Sequence, residues 1–155
     1  MQYNVIVIGS GIAGLCAAIE AFHSGSSVLL IEKESTLGGN SVKATSGISA
    51  SETCWQNAQG IKDSTTLLKK DVITSSKGHS NPKLVNILVR ESKNVIPWLS
   101  QFGINLSCIT QCGGHSAPRT HCESDGSINI GRRIVNALVS FINNKTSIDI
   151  LIDRS

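Results

Sequence analysis

Apolar residues fall into short continuous runs at the start of the chain and into periodic stripes further on. Val5-Ile6-Val7-Ile8 is an unbroken β-branched run closed by Gly9, the pattern of a parallel strand buried on both faces. Ala, Leu and Ile then recur at helical spacing over residues 13–24, and Gly25 stands where a helix C-cap glycine belongs. Ser27 to Glu32 reads as a second buried strand. The result is a β-α-β unit within the first 32 residues, which commits the chain to a parallel sheet with a right-handed crossover.

Glu34 to Gly60 shows no period and is rich in Gly, Ser, Thr and Asn. A stretch this long without a pattern suits a functional loop better than a plain connection. Residues 64–76 read as a helix capped by Asp63 or Ser64, with Leu67, Leu68, Val72 and Ile73 as its stripe. Asn81-Pro82 opens another helix, whose apolar face is assigned to Leu84, Leu88, Val95 and Leu99. Pro97 is expected to kink or split it, and Gly103 to end it. Ile104 to Ile109 is a candidate strand, and Gln111 to Gly126 a second polar loop. Residues 130–142 form an amphipathic helix through Ile134, Val135, Leu138, Phe141 and Ile142, and Ser147 to Ile152 a last strand. Asp149 to Ser155 therefore reads as a strand entering a sheet whose other strands are absent.

Composition narrows the class. The 155 residues are 40% hydrophobic and 16% charged, which excludes a coiled coil, a collagen-like chain and a disordered tail. A net charge of +3 is too small to argue for nucleic acid or an acidic membrane surface as partner. No apolar stretch approaches the roughly 20 residues of a membrane span. Five cysteines, an odd number, with neither a signal peptide nor an Arg-rich presequence, suggest a reducing, cytoplasmic location, or a mitochondrial one had a presequence been lost. Asn105-Leu106-Ser107 and Asn144-Lys145-Thr146 match the glycosylation acceptor pattern, which carries little weight without a secretory signal.

The chemistry starts at Gly9-Ser10-Gly11-Ile12-Ala13-Gly14, a G-x-G-x-x-G set between strand and helix. Gly9 permits the sharp turn, Gly11 lets a pyrophosphate approach the main chain, and Gly14 lets the helix pack close to the strand. Helix N–H groups and the positive end of its dipole then hold phosphate without Lys or Arg. Glu32 ends the second strand 18 residues past Gly14, where a carboxylate accepts from adenosine ribose hydroxyls and repels a 2′-phosphate. Cys108, Cys112, His115, His121 and Cys122 crowd together, but their spacing is not that of paired C-x2-C zinc knuckles, and no metal site is assigned.

The fingerprint does not separate FAD from NAD. The segment after Glu32 does: Lys33 leads to the doublet Gly38-Gly39, and "GGNSVKATSGISA" (Gly38 to Ala50) with "GGHSAPRTH" (Gly113 to His121) resembles soluble fumarate reductases of the fumarate reductase/succinate dehydrogenase flavoprotein family. "KGHSNPKLVNILVRESKNVIPWL" (Lys77 to Leu99) is similar to that family's helical segment. The resemblance implies an α/β, Rossmann-like FAD-binding domain with a parallel sheet, ending before a capping domain. Residues 1–155 would be its N-terminal part: a dinucleotide-binding unit and GG loop over 1–50, helices over 61–103, and a loop, helix and strand over 104–155.

It further implies Ala13 and Gly14 beside the pyrophosphate, Glu32 on the ribose and Lys33 near adenine. Asn40 and Ser41 would lie at the phosphate or ribityl region, and Thr45, Ser46 and Gly47 near the flavin ring. FAD would be held noncovalently, since Ser41 to Ser46 offers no histidine for a flavin link. Reduced flavin would pass hydride to fumarate, a small dicarboxylate, to give succinate. The family's catalytic groups fall beyond residue 155, so no catalytic residue is assigned; Arg119 and His121 are the local candidates for a polar contact with the flavin or a neighbouring loop. The other readings are an NAD-binding Rossmann dehydrogenase and a non-catalytic, truncated nucleotide-binding fragment.

Overall fold

The computed structural model describes residues 2–123, 129–145 and 147–153. In chain order its elements are β1 (Val5–Ile8), α1 (Ile12–His23), β2 (Val28–Ile31), a 3-10 turn (Gly39–Lys43), β3 (Ile48–Ser49), α2 (Cys54–Ala58), α3 (Thr65–Ser75), α4 (Pro82–Ser100), β4 (Cys108–Thr110), β5 (Thr120–Cys122), α5 (Ile130–Asn143) and β6 (Ile148–Leu151). They form two units, one of residues 1–45 with 129–155, the other of 46–128.

The first unit is the expected α/β body. Its sheet is parallel with order β1-β2-β6, and Val5 pairs with Val28 and Val28 with Ile148. Leu15, Ala18 and Ile19 of α1, Val28 and Leu30 of β2, and Ile134, Val135, Leu138 and Ile142 of α5 are buried together with Ile148. The apolar stripe of α5 thus does what its spacing predicts. β1 departs from the sequence reading: it alternates, and Ile6 and Ile8 are 59% and 84% exposed. A run of four β-branched residues looks the same whether one face or both are covered, so periodicity cannot decide this. The last strand is present but shorter than expected: it spans Ile148–Leu151, and Ile152 and Asp153 are already outside it, while 154–155 lie outside the described residues.

The second unit is helical with a small antiparallel sheet of order β3-β5-β4. Those strands are two or three residues long; β3 and β5 lie within segments read as loops, and β4 takes up only the end of the candidate strand at 104–109 and runs one residue past it. The loop predicted over 111–126 carries β5, and its residues 124–126 lie outside the described residues. Ser64 is the cap of α3, its hydroxyl accepting from Leu67 N at 3.1 Å, while Asp63 is spent elsewhere. Thr53 and Gln56 close a reciprocal capping box at the start of α2, an element the sequence reading left unassigned.

α4 corrects two expectations. It presents Val85, Val89, Ser92, Ile96 and Leu99 inward, against Leu68 and Val72 of α3 at its start, and leaves Leu84 and Leu88 exposed. Its apolar residues span an arc wide enough to admit either face. The helix also runs unbroken past Pro97. That proline sits in the last turn, so it removes a single backbone bond, the one to the carbonyl of Lys93, an exposed residue, and the helix ends within one turn of it. Among the described residues no helix is long and apolar enough to cross a membrane.

Candidate functional site

The site of interest lies wholly in the first unit, where β1 and β2 end and α1 begins. Gly9 turns the chain with φ +92°, a conformation L side chains rarely adopt. Gly14 is required for packing: a Cβ there would stand 1.9 Å from the Gly9 carbonyl oxygen. Gly11, the N-cap of α1, is different. Its φ of −59° suits any residue, and a Cβ would meet only Ser41 Oγ at 3.9 Å. The space in front of Gly11 is therefore open, and it belongs to a cleft of about 1030 Å³.

Gly9, Ser10, Gly11, Glu32, Lys33, Gly39 and Asn40 line this cleft. Of the other residues singled out in the sequence, Ala13 is exposed on the first turn of α1, and Gly14 packs as described. Ser41 sits at the helix start, its Oγ accepting from Ile12 N at 3.1 Å. This satisfies one of the orphan donors of α1 and leaves the Ser41 O–H able to donate. Thr45 is exposed at the end of the first segment. Ser46 and Gly47 fall in the second unit, where a Cβ on Gly47 would lie 2.2 Å from His121 O. Gly47 is thus demanded by the packing of β3 on β5, whatever else it does.

Glu32 is the electrostatic centre of the cleft. It is only 6% exposed, yet it accepts from Ser10 Oγ, from Ser10 N at 2.8 Å and from Glu34 N at 3.0 Å. These bonds, that from the Ser10 hydroxyl foremost, favour the ionised form and bring its pKa down to about 2. Lys33 and Glu34 pair with each other at 3.5 Å in solvent, and Lys43 donates to Asn40 Oδ1 at 2.8 Å. A fixed carboxylate at one side, backbone amides of a helix start at another and bare glycine between them fit a ligand with ribose hydroxyls and a pyrophosphate.

Sequence reasoning missed Gly131. It lies in the first turn of α5, its N–H donating to Ala44 O at 2.9 Å, and a Cβ would come within 2.1 Å of Ser41 O. This close approach seats the 3-10 turn carrying Asn40 and Ser41. The available signal was a lone glycine inside an otherwise regular helical pattern, which often marks a packing need.

Arg119 and His121, the candidates for contact with a flavin, are fully buried in the second unit. Arg119 donates Nε and Nη2 to Asp63 at 3.0 and 2.7 Å and Nη1 to Asp71 at 2.7 Å. No surface is left for a ligand. Burial pushes the His121 imidazole below its ordinary range. The neutral ring donates from Nδ1 to the Leu106 carbonyl at 3.1 Å, which makes Nε2 the acceptor for the Thr53 hydroxyl at 3.2 Å. His121 is therefore not available to a metal; among the described residues no three or more His, Cys, Asp or Glu side chains are grouped to hold one.

The carboxylates set an acid limit. Burial alone would raise Asp71, but bonds from Ser116 and the Arg119 guanidinium outweigh it and hold the carboxyl below its usual range. Glu32 and Asp71 are depressed in the folded chain, so their contribution is complete above about pH 4.5 and fades below it, for Glu32 down to about pH 2. His121 has the same sign, since a proton forced onto it opposes folding below about pH 6.5. Urea unfolding at a series of pH values should show stability declining gently below about 6.5 and steeply below about 4.5. An unchanged midpoint between about pH 7 and 3.5 would contradict these assignments.

The family described as FAD binding domain matches residues 4–154. The NADH:fumarate oxidoreductase of Klebsiella pneumoniae is 43% identical over 154 residues, 99% of this chain and 16% of that protein. The fumarate reductase of Schizosaccharomyces pombe is 43% identical over 119 residues, 76% of this chain and 23% of its own. The open conformation of a flavocytochrome c3 fumarate reductase superposes with a TM-score of 0.91 at 30% identity, covering 97% of this chain and 26% of that one. The chain thus spans about a sixth to a quarter of the length of these relatives.

Proposed function

The chain belongs to the FAD binding domain family, and on that premise we propose that it supplies the adenosine and pyrophosphate side of the flavin site in an oxidoreductase of the fumarate reductase type. The observation that carries this reading is the open space before Gly11, at the start of α1 and within one cleft with Glu32. The Gly9–Gly11 turn and the first amides of α1, at Ala13 and Gly14, hold the pyrophosphate. Glu32 accepts from a ribose hydroxyl, and Lys33 stands beside the adenine. Asn40 and the O–H of Ser41 serve the phosphate or ribityl region, and Thr45, Ser46 and Gly47 serve the ring.

FAD, when bound and reduced, would supply the hydride that, together with a proton, converts an unsaturated dicarboxylate such as fumarate to succinate, leaving the flavin oxidised. The residues of this chain hold and orient it; the anionic Glu32 also disfavours a 2′-phosphorylated nucleotide. The five free cysteines accord with a reducing compartment, the cytoplasm or a mitochondrion.

Fluorescence titration tests the reading. FAD emission should quench on adding the chain, with NADH binding more weakly. Acid precipitation should release all yellow colour into the supernatant, because the 41–46 segment carries no histidine to link the flavin. Tighter binding of NADH than of FAD would overturn the assignment in favour of a nicotinamide dehydrogenase.

A further inference from the structure

We propose that Ser10 is a positioning residue which sets Glu32 and the Gly38-Gly39 turn in one arrangement through its hydroxyl, and does not itself contact the cofactor; the part of this that concerns FAD rests on the function proposed above. The G-x-G-x-x-G pattern asks nothing of the residue between its first two glycines. Here that residue is fully buried. Its Oγ accepts from Gly38 N at 3.0 Å, so the hydroxyl proton is directed away from Gly38 and onto Glu32 Oε2. Its N–H donates to the same oxygen at 2.8 Å. Ser10 thereby occupies Oε2, and Glu34 N takes Oε1 at 3.0 Å, which leaves Oε1 as the oxygen with capacity for a ligand hydroxyl.

The second half of the bridge is equally constrained. Gly38 has φ +106°, and a Cβ there would meet Val135 Cγ1 and Val42 Cγ1 at 2.6 and 2.7 Å. The turn is wedged against α5 and the 3-10 turn, and its remaining N–H is tied to Ser10. One hydroxyl therefore joins the glycine turn after β1, the end of β2 and the turn that leads to Asn40. The charged residues that line the cleft with Glu32 are Lys33 and Glu34, beside it in sequence, and Lys43. Lys33 is paired with Glu34 and Lys43 bonded to Asn40, so hydrogen bonds rather than an ion pair hold the Glu32 carboxylate.

A double-mutant cycle on the full chain tests this. Ser10→Ala should weaken FAD binding about tenfold, in line with loss of a hydrogen bond to a charged group. In the Glu32→Gln background the same change should cost under about threefold, because the carboxylate charge is gone and chiefly the Gly38 bond is left to lose. An equal loss in both backgrounds would mean that Ser10 touches the cofactor directly or serves packing alone, and would overturn the proposal. A second readout needs no FAD. In unliganded chain with ¹³C-labelled glutamate, the Glu32 carboxyl should remain ionised at about pH 4 and become substantially protonated there in Ser10→Ala. Identical titration in the two proteins would also overturn it. Were the wild type not to bind FAD, the functional reading would fail while this titration still reported on Ser10. Ser10→Cys, of similar size and a weaker donor, should fall between the two and replaces alanine if that variant does not fold.

Discussion

Replacing Arg119 by alanine is expected to cost about 3–5 kcal/mol, enough to unfold most of the 46–128 unit at ambient temperature. The reason is the charge left behind. One guanidinium, wholly enclosed, faces two carboxylates that are 0% and 8% exposed. Asp63 also accepts from Gln56 Nε2 and Ser64 N, and Asp71 from the N–H and hydroxyl of Ser116. The network thus pins α2, the start of α3 and the 116–119 segment to one point. An intact buried ion pair adds little net stability, because desolvation offsets attraction; a broken one leaves charge without compensation. Arg119→Lys should rescue poorly, since an ammonium cannot reproduce the two-pronged contact with Asp63 and a third bond to Asp71. Adding Asp63→Asn and Asp71→Asn to Arg119→Met should recover part of the loss. Denaturant titration measures all of these, and a loss below about 1 kcal/mol for Arg119→Ala would show that the network is dispensable.

The second large effect concerns binding rather than folding. Gly11→Val should lower FAD affinity at least about a hundredfold while the chain stays folded, because the new side chain stands in the pyrophosphate path. The fold has room for it: the backbone angle is permissive and the nearest atom to a Cβ is Ser41 Oγ at 3.9 Å. The cost to folding should be the modest loss of a poorer N-cap, roughly 0.5–1 kcal/mol. Gly14→Ala should behave in the opposite way. Its methyl would overlap the Gly9 carbonyl at 1.9 Å, so α1 must shift and the thermal midpoint fall. Measuring FAD quenching and unfolding on both proteins separates the two roles of glycine within one motif. Wild-type affinity in a folded Gly11→Val would remove the pyrophosphate from this position.

What could be read beforehand was local. The β-α-β unit, the fingerprint and Glu32 depend on residues near in sequence, each with a backbone reason to be there. The face of α4 was misassigned because Leu84, Leu88 and Val95 are as apolar as Val85, Val89 and Ile96, and only the neighbour decides between them. β3, β4 and β5 are too short to show an alternation. Arg119 looked available for a ligand because its partners lie 56 and 48 residues away in the chain. Ser10 lies inside the legible motif, but the direction of its hydroxyl depends on Gly38 and Glu32, neither adjacent to it in the chain.

The hydrogen bond from Gly131 N to Ala44 O has a further consequence. It closes the first unit across the point where the chain leaves it for residues 46–128, so departure and return are side by side. The helical unit is in effect a parenthesis in the Rossmann-like sentence. A short connector from Thr45 to Asn129 would span the gap, and such neighbouring ends are where insertions are gained and exchanged with least disturbance. It also orders synthesis: Val28 waits for Ile148 to emerge before β2 gains its outer partner, while the parenthesis, being contiguous, closes first.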